Sequence, residues 1–233
     1  MQSFFTDPPQ NGVAQLSAED AHHVLRSLRM QPGDLLAIAS GGQRWEAQLQ
    51  VQGDRASAKL LRELPSGEPR TQVTLYQGLA KGDRMDFLVQ KCSELGAVRI
   101  VPCLFSRCVA RWEGGSSKLS RWRRIAREAA VQSGRSVIPQ LEDCVSFEAL
   151  CQRLQNHALA LVPWEEGGRS VAQAIADAPD DIALVIGPEG GIAPDEIDRL
   201  AARPVTLGPR ILRTETAGMA ALTMVLTLRG DMA

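Results

Sequence analysis

No stretch of this 233-residue chain is apolar for the roughly 18 residues that a membrane span needs. Its first residues, Met1-Gln2-Ser3-Phe4-Phe5-Thr6-Asp7, lack the basic start and long apolar run of a signal peptide. A cytoplasmic protein with no membrane partner is expected. Histidine is confined to His22, His23 and His157, too few and too scattered for a metal cage. The five cysteines (Cys92, Cys103, Cys108, Cys144, Cys151) are odd in number, and none forms a C-x-x-C pair or sits beside a histidine. That pattern argues against a disulfide framework and against zinc, so reduced thiols and no metal are expected.

What the chain does have is ordinary in bulk and uneven in detail. Hydrophobic residues make up 44% and charged residues 23%, enough for one large domain or two small ones with a real core. The net charge of -1 hides two opposed blocks. Between Arg99 and Arg135 nine basic residues face only Glu113 and Glu128, whereas from Ser136 to Leu200 a dozen carboxylates face Arg153, Arg169 and Arg199. The basic block is mostly arginine and contains Trp112 and Trp122, a mixture of planar donors and stacking surfaces that suits a polyanion such as RNA. A solvated helix face is the alternative reading.

Periodicity divides the chain. Ser17 is a candidate N-cap, with Asp20 three residues on, for a helix running through Val24, Leu25 and Leu28 to about Arg29. Strands are expected at Leu35 to Ala39, Trp45 to Val51 and Ala56 to Leu61, split by Gly41-Gly42 and Gly53-Asp54, which suggests a small barrel-like domain. Leu64-Pro65-Ser66-Gly67-Glu68-Pro69 is the linker candidate. Beyond it strands alternate with helices: Val73 to Leu79, Asp83 to Leu95, Val98 to Leu104, Leu119 to Ser133, Leu159 to Val162, Ser170 to Ala176, Ile182 to Ile186, Pro194 to Ala202, Val205 to Leu207 and Glu215 to Leu228. Gly96 is the expected C-cap of the first of these helices. Such alternation predicts an α/β domain with a mainly parallel sheet.

Two loops carry the chemistry. Ile186-Gly187-Pro188-Glu189-Gly190-Gly191 follows a strand, where ligands of parallel sheets collect, and its glycines let the backbone approach a ligand closely. It matches neither the dinucleotide nor the P-loop fingerprint. In Leu207-Gly208-Pro209-Arg210-Ile211-Leu212-Arg213-Thr214-Glu215-Thr216, two arginines flank an apolar pair, and Thr214 is a possible helix cap with Glu215 at the positive end. Apolar side chains and free backbone groups suit an adenine; the arginines suit a phosphate or a developing negative charge.

GPEGG followed some twenty residues later by LGPRILRTETA resembles the SPOUT class of methyltransferases, most closely the RsmE family, which methylates N3 of one uridine in 16S ribosomal RNA. The likeness extends to Lys81-Gly82-Asp83-Arg84-Met85-Asp86, to Lys91 with Glu94-Leu95-Gly96, to Glu128 through Arg135, and to His23-Val24-Leu25-Arg26 with Gly33-Asp34. The resemblance implies a PUA-like RNA-binding β-barrel over residues 1–68 and an α/β SPOUT domain with a C-terminal trefoil knot over 69–233. It also implies S-adenosylmethionine as cofactor, the small ribosomal subunit or its 16S RNA as substrate, and a homodimer. The implied cofactor contacts are Leu161, Val162 and Pro163; Ile186, Gly187, Pro188, Glu189, Gly190 and Gly191; and Leu207, Gly208, Ile211, Leu212 and Thr216. Two departures stand out: Ala193 where the family places Ser or Thr before the next helix, and Gln2-Ser3 where it often has arginine.

Uracil N3 must lose a proton before it becomes a good nucleophile, so a base or an anion-stabilising cation is required. Arg213, with Arg210 second, is the candidate for the cation, and Glu189 or Glu215 for the base. Arg26, Arg29, Arg121, Arg124, Arg127 and Arg135 are candidates for RNA phosphate. Two other functions stay open on sequence: a non-enzymatic RNA-binding assembly factor on the same fold, and a 2′-O-ribose methyltransferase.

Overall fold

The computed structural model describes residues 1–232, and the chain divides into two compact units. One consists of Met1–Glu68 with Ala130–Ile138, the other of Pro69–Ala129 with the residues from Pro139 on.

The first unit is built on a five-stranded sheet of order β1-β3-β4-β5-β2. Its strands are β1 (Ser3–Phe5), β2 (Val13–Gln15), β3 (Leu35–Ser40), β4 (Gln43–Gln52) and β5 (Arg55–Leu64). β1 runs parallel to β3 and the other pairs are antiparallel. β3 turns into β4 through Gly41 and Gly42, both at positive φ (57° and 84°), the conformation that a two-residue hairpin loop matched to strand twist demands. Phe4, Val24, Leu36, Ile38, Leu49 and Ala58 form the core on one face of this sheet. Ser17 caps helix α1 (Ala18–His22), its Oγ accepting from the Asp20 N–H at 3.0 Å. The helix then widens into a π-turn over His23–Ser27 and ends near Arg29, which sits at φ 53° in the left-handed region.

The second unit has a seven-stranded sheet, every neighbouring pair of which is parallel, in the order β10-β12-β9-β11-β6-β7-β8. The strands are β6 (Gln72–Gly78), β7 (Arg99–Cys103), β8 (Gln140–Leu141), β9 (Leu159–Pro163), β10 (Arg169–Ser170), β11 (Asp181–Ile186) and β12 (Arg203–Thr206). The helices are α2 (Arg84–Leu95), α3 (Gly115–Ser133), α4 (Phe147–Leu154), α5 (Val171–Ile175), α6 (Pro194–Arg199) and α7 (Thr214–Leu228). A parallel sheet is covered on both faces, which is why β9 and β11 are nearly continuous apolar runs. Alternate side chains go to different cores. Leu161, Leu184 and Ile186 pack with residues of α2, α3, α5 and α7, whereas Val162, Ala183 and Val185 pack with α4 and α6. Gly96 ends α2 in the left-handed conformation (φ 112°), its N–H bonding back to Cys92 and Ser93. At Ala193, which has no side-chain acceptor, buried Glu196 takes over part of the capping: its Oε2 accepts from the Ala193 N–H at 3.2 Å and its Oε1 from the Ser106 N–H at 2.7 Å.

The expected α/β alternation is present. Strands β1, β2, β8 and β10 and helix α4 were absent from the sequence reading; the strands have two or three residues each, too short for a period to register. Among the described residues no helix is long and apolar enough to cross a membrane.

Candidate active site

The loops after β9, β11 and β12 leave the carboxyl edge of the parallel sheet together and enclose a cavity of about 710 Å³. Pro163, Trp164 and Glu165 come from the first loop. Ile186, Gly187, Pro188, Glu189, Gly191 and Ile192 come from the second, and Thr206 through Thr214 from the third. Glu215 and Ala217 at the start of α7 and Arg84 at the start of α2 complete the wall.

The loops interlock because glycine allows it. A Cβ on Gly78, at the end of β6, would lie 2.4 Å from the Pro188 nitrogen, so the β6 and β11 ends can meet only without a side chain there. A Cβ on Gly187 would lie 2.7 Å from Ile192 Cγ1. Thr214 joins the second loop to the third: its hydroxyl donates to the Gly187 carbonyl at 2.5 Å and accepts from Gln77 Nε2 at 2.7 Å. Thr214 is therefore a tie between loops; the N-cap position of α7 falls on Arg213. Both Gln77 and Thr214 are buried, so losing either partner would strand a polar group at a cost of about 1–3 kcal/mol.

Charge in the cavity wall is organised around Arg84. Its Nη1 lies 2.5 Å from Glu189 Oε1 and its Nε 3.8 Å from Glu215 Oε1. Glu189 also accepts from the Lys81 backbone N–H at 2.9 Å. Partial burial pushes the Glu189 carboxyl upward, but the Lys81 N–H, its own backbone and the Arg84 guanidinium outweigh this and hold it below its ordinary value. A carboxylate so engaged is a weak proton acceptor. In this geometry Glu189 holds Arg84 and the Lys81 turn in place.

The other expected site residues divide clearly. Pro163, Ile186, Gly187, Pro188, Gly191, Leu207, Gly208, Arg210, Ile211, Leu212 and Arg213 all line the cavity. Leu161 and Val162 do not: both are fully buried in β9 between the two cores. Gly190 lies under Arg107, and Thr216 faces an adjoining cavity of about 610 Å³ with Lys81, Asp83, Arg84, Phe87 and Glu215. Arg84 and Trp164 are wall residues that sequence reasoning did not place there. A strand-end rule would have reached Trp164; nothing local marks Arg84, whose partner Glu189 is 105 positions away.

Among the expected RNA contacts, Arg26 and Arg29 are exposed on the first unit. Arg121 and Arg124 are exposed on α3, paired with Asp86 and Glu128 respectively. Arg135 is different. Its side chain is 4% exposed and binds Glu68 through Nη2 at 2.6 Å and Nε at 3.1 Å, so it faces no solvent. The tryptophans are also taken up internally: Trp112 and Trp122 stack on each other at 5.6 Å, and Trp122 is buried and donates to Asp86 at 2.9 Å.

Residues 67–226 match the family model of an RNA methyltransferase domain. The ribosomal RNA small subunit methyltransferase E of Bacillus subtilis (strain 168) is 33% identical, over 99% of this chain and 100% of its own. That of Mycobacterium bovis is 35% identical, over 98% of this chain and 93% of its own. The chain belongs to the ribosomal RNA small subunit methyltransferase E family. A solved member, the ribosomal RNA small subunit methyltransferase E from Neisseria gonorrhoeae bound to S-adenosyl methionine, is 32% identical and superimposes with a TM-score of 0.87 over 98% of both chains. Family membership thus joins the three-loop cavity to a relative crystallised with a methyl donor.

Proposed function

We propose that this chain transfers a methyl group from S-adenosylmethionine to N3 of one uridine in the 16S RNA of the small ribosomal subunit, in the cytoplasm. The observation that carries the reading is the three-loop cavity in a chain that matches a cofactor-bound family member over nearly its whole length.

The cavity fits the cofactor on its own chemistry. Its volume of about 710 Å³ lies within the usual range for small-molecule sites. Pro163, Ile186, Leu207 and Leu212 offer apolar surface to an adenine, between strand-end backbone groups. Arg84, Arg210 and Arg213 balance Glu165, Glu189 and Glu215, a lining suited to a ligand bearing both an amino acid group and a sulfonium. When bound, the cofactor supplies an electrophilic methyl group. The protein's share is to seat the uracil, exclude water and manage the N3 proton. Arg213 and Arg210 are exposed on the cavity wall, where either can face a uracil anion.

The remaining architecture is proposed on these supports. β12 lies beyond β9 at one side of the sheet, while α7 returns to pack on α2, β6 and β11 with Thr214 held at Gly187, an arrangement that suits a trefoil knot. α7 is apolar along most of its length, yet Met219, Thr223 and Met224 are only partly covered and Leu228 is 50% exposed, which supports a second copy packing there as a homodimer. The small sheet of residues 1–68, with Arg26 and Arg29 outward, supports a PUA-like RNA-binding domain preceding the catalytic domain of 69–233. Arg121, Arg124 and Arg127 on α3 are the RNA-facing candidates of the latter.

Calorimetry with S-adenosylmethionine, followed by mass spectrometry of nucleosides from 16S RNA treated with the purified protein, tests the function. Binding and new 3-methyluridine are expected. No binding would favour an assembly factor; 2′-O-methylribose would favour the ribose enzyme.

A further inference from the structure

A second cavity lies beside the cofactor site, and the linings of the two share Arg84 and Glu215. Arg84 and Glu215 therefore touch the ligand of either cavity, and the two cavities meet beside them. Three properties of this second cavity converge. Phe87, one helical turn beyond Arg84 on α2, is 46% exposed on its rim, an open aromatic face. Arg84 is fixed in place by two carboxylates. Glu215 is 13% exposed, and its Oε2 is buried without any hydrogen-bond partner.

That unpaired oxygen separates the two carboxylates of the wall. Glu189 is engaged by the Lys81 N–H and Arg84, whereas Glu215 keeps an acceptor in reserve. A carboxylate serving only the positive end of α7 would gain nothing from burying an oxygen with no donor, which costs about as much as a lost hydrogen bond. A buried acceptor left open calls for a catalytic role or a donor that the chain itself does not supply.

Uracil presents a carbonyl, an N–H and a second carbonyl along one edge. The lining holds the guanidinium of Arg84, the ammonium of Lys81, the hydroxyl of Thr216 and the carboxylates of Glu215 and Asp83, so both donors and acceptors for such an edge are present. Cytosine, whose N3 carries no proton, would set a lone pair against the carboxylate.

Resting on the methyltransferase reading, we propose that the cavity lined by Lys81, Asp83, Arg84, Phe87, Glu215 and Thr216 receives the target uracil, with Phe87 stacked on the ring and Glu215, the carboxylate shared with the cofactor cavity, taking the N3 proton. In that step the N3–H bond breaks, its electron pair stays on the ring and is shared with O2 and O4, and the proton forms an O–H bond on Glu215. Arg84 stabilises the resulting anion from this side, and Arg213 or Arg210 from the adjoining cofactor cavity. Once the product leaves, solvent water takes the proton from Glu215.

The test uses the full-length protein and a 16S RNA fragment that the wild type methylates, together with the same fragment carrying cytidine at the target. Phe87→Ala is expected to weaken RNA binding by roughly 5- to 150-fold, the effect of losing one stacked base, with cofactor binding unchanged. Glu215→Gln is expected to lower the methylation rate by roughly 10²- to 10⁴-fold. It should also erase most of the preference for uridine over cytidine in binding, because an amide can donate to cytosine N3 while a carboxylate cannot. Anisotropy reads the affinities, and mass spectrometry reads the methylation. Wild-type protein that methylates no uridine would overturn the underlying function. Wild-type activity with unchanged rate and discrimination in Glu215→Gln, or wild-type affinity in Phe87→Ala, would overturn the placement of the base. Dissociation of a dimer by Phe87→Ala with RNA affinity per subunit unchanged would assign Phe87 to an interface and also refute it.

Discussion

Two arginine–carboxylate clusters in this molecule look alike on a contact list and differ in every physical respect. Glu68 and Arg135 form a sealed pair: the side chains are 15% and 4% exposed, and Glu68 also accepts from the Ser136 and Val137 N–H groups at 2.7 and 3.1 Å. Arg84 with Glu189 and Glu215 is 38% exposed, stands between two cavities and leaves an acceptor unpaired. A closed and satisfied cluster holds a chain in place. An open and incompletely satisfied one can bind something. Both arginines lie in regions that the sequence marks as functional, and only geometry tells them apart.

The sharpest break between the two comes from truncating each arginine system. Arg135→Ala should lower stability by about 3–5 kcal/mol, because it leaves Glu68 buried and uncompensated; urea denaturation measures this, and S-adenosylmethionine affinity in the folded fraction should stay the same. Arg213→Ala, in the wall of the cavity that the open cluster also lines, should leave the urea midpoint nearly unmoved and reduce methylation by about 10²- to 10³-fold. Full methylation with unchanged RNA affinity would remove Arg213 from the mechanism. Thr214→Val, which removes the donor to the Gly187 carbonyl and one of the two acceptors of Gln77 Nε2, should weaken cofactor binding and destabilise the fold by about 1–3 kcal/mol.

The smallest effect concerns pH. Burial raises the Glu68 carboxyl, but Arg135 and the two backbone N–H groups outweigh it, so its pKa in the folded protein is lowered. A lowered carboxyl contributes stability above its unfolded value, about 4.3, and loses that contribution as pH falls through the folded value. Stability of the wild type should therefore drop with acid in that window. Glu68→Gln, less stable at neutral pH, should show a shallower acid slope in a pH series of thermal melts.

The sequence legibly marked what depends on local pattern. The loops at Gly187 and Leu207 were visible because glycine, proline and strand ends are local signals, and the strand before Gly187 is an apolar run. Ser17 and Gly96 were found because caps are decided within four residues. The place of Arg84 in the site was not legible. Arg84 meets Glu189 across 105 positions, and no periodicity reports which distant carboxylate an arginine will find. Trp112 and Trp122 misled for a related reason: composition cannot distinguish two rings awaiting bases from two rings stacked on each other. Arg135 belonged by charge to the basic block, yet burial withdrew it from that surface.

The bond between Thr214 and Gln77 joins residues 137 positions apart, and the Gly187 carbonyl closes the same knot of contacts from a third point in the chain. Loops of that span close late, since their entropic cost falls due before any neighbouring contact offsets it. On a translating ribosome, Gln77 and Gly187 would emerge well before their shared partner, and the cavity would have no third wall until α7 followed. Chains stalled short of Thr214 should accordingly fail to bind S-adenosylmethionine in pull-down assays, although most of the sheet is already made. The enzyme is thus silent until Thr214 and the start of α7 have been made.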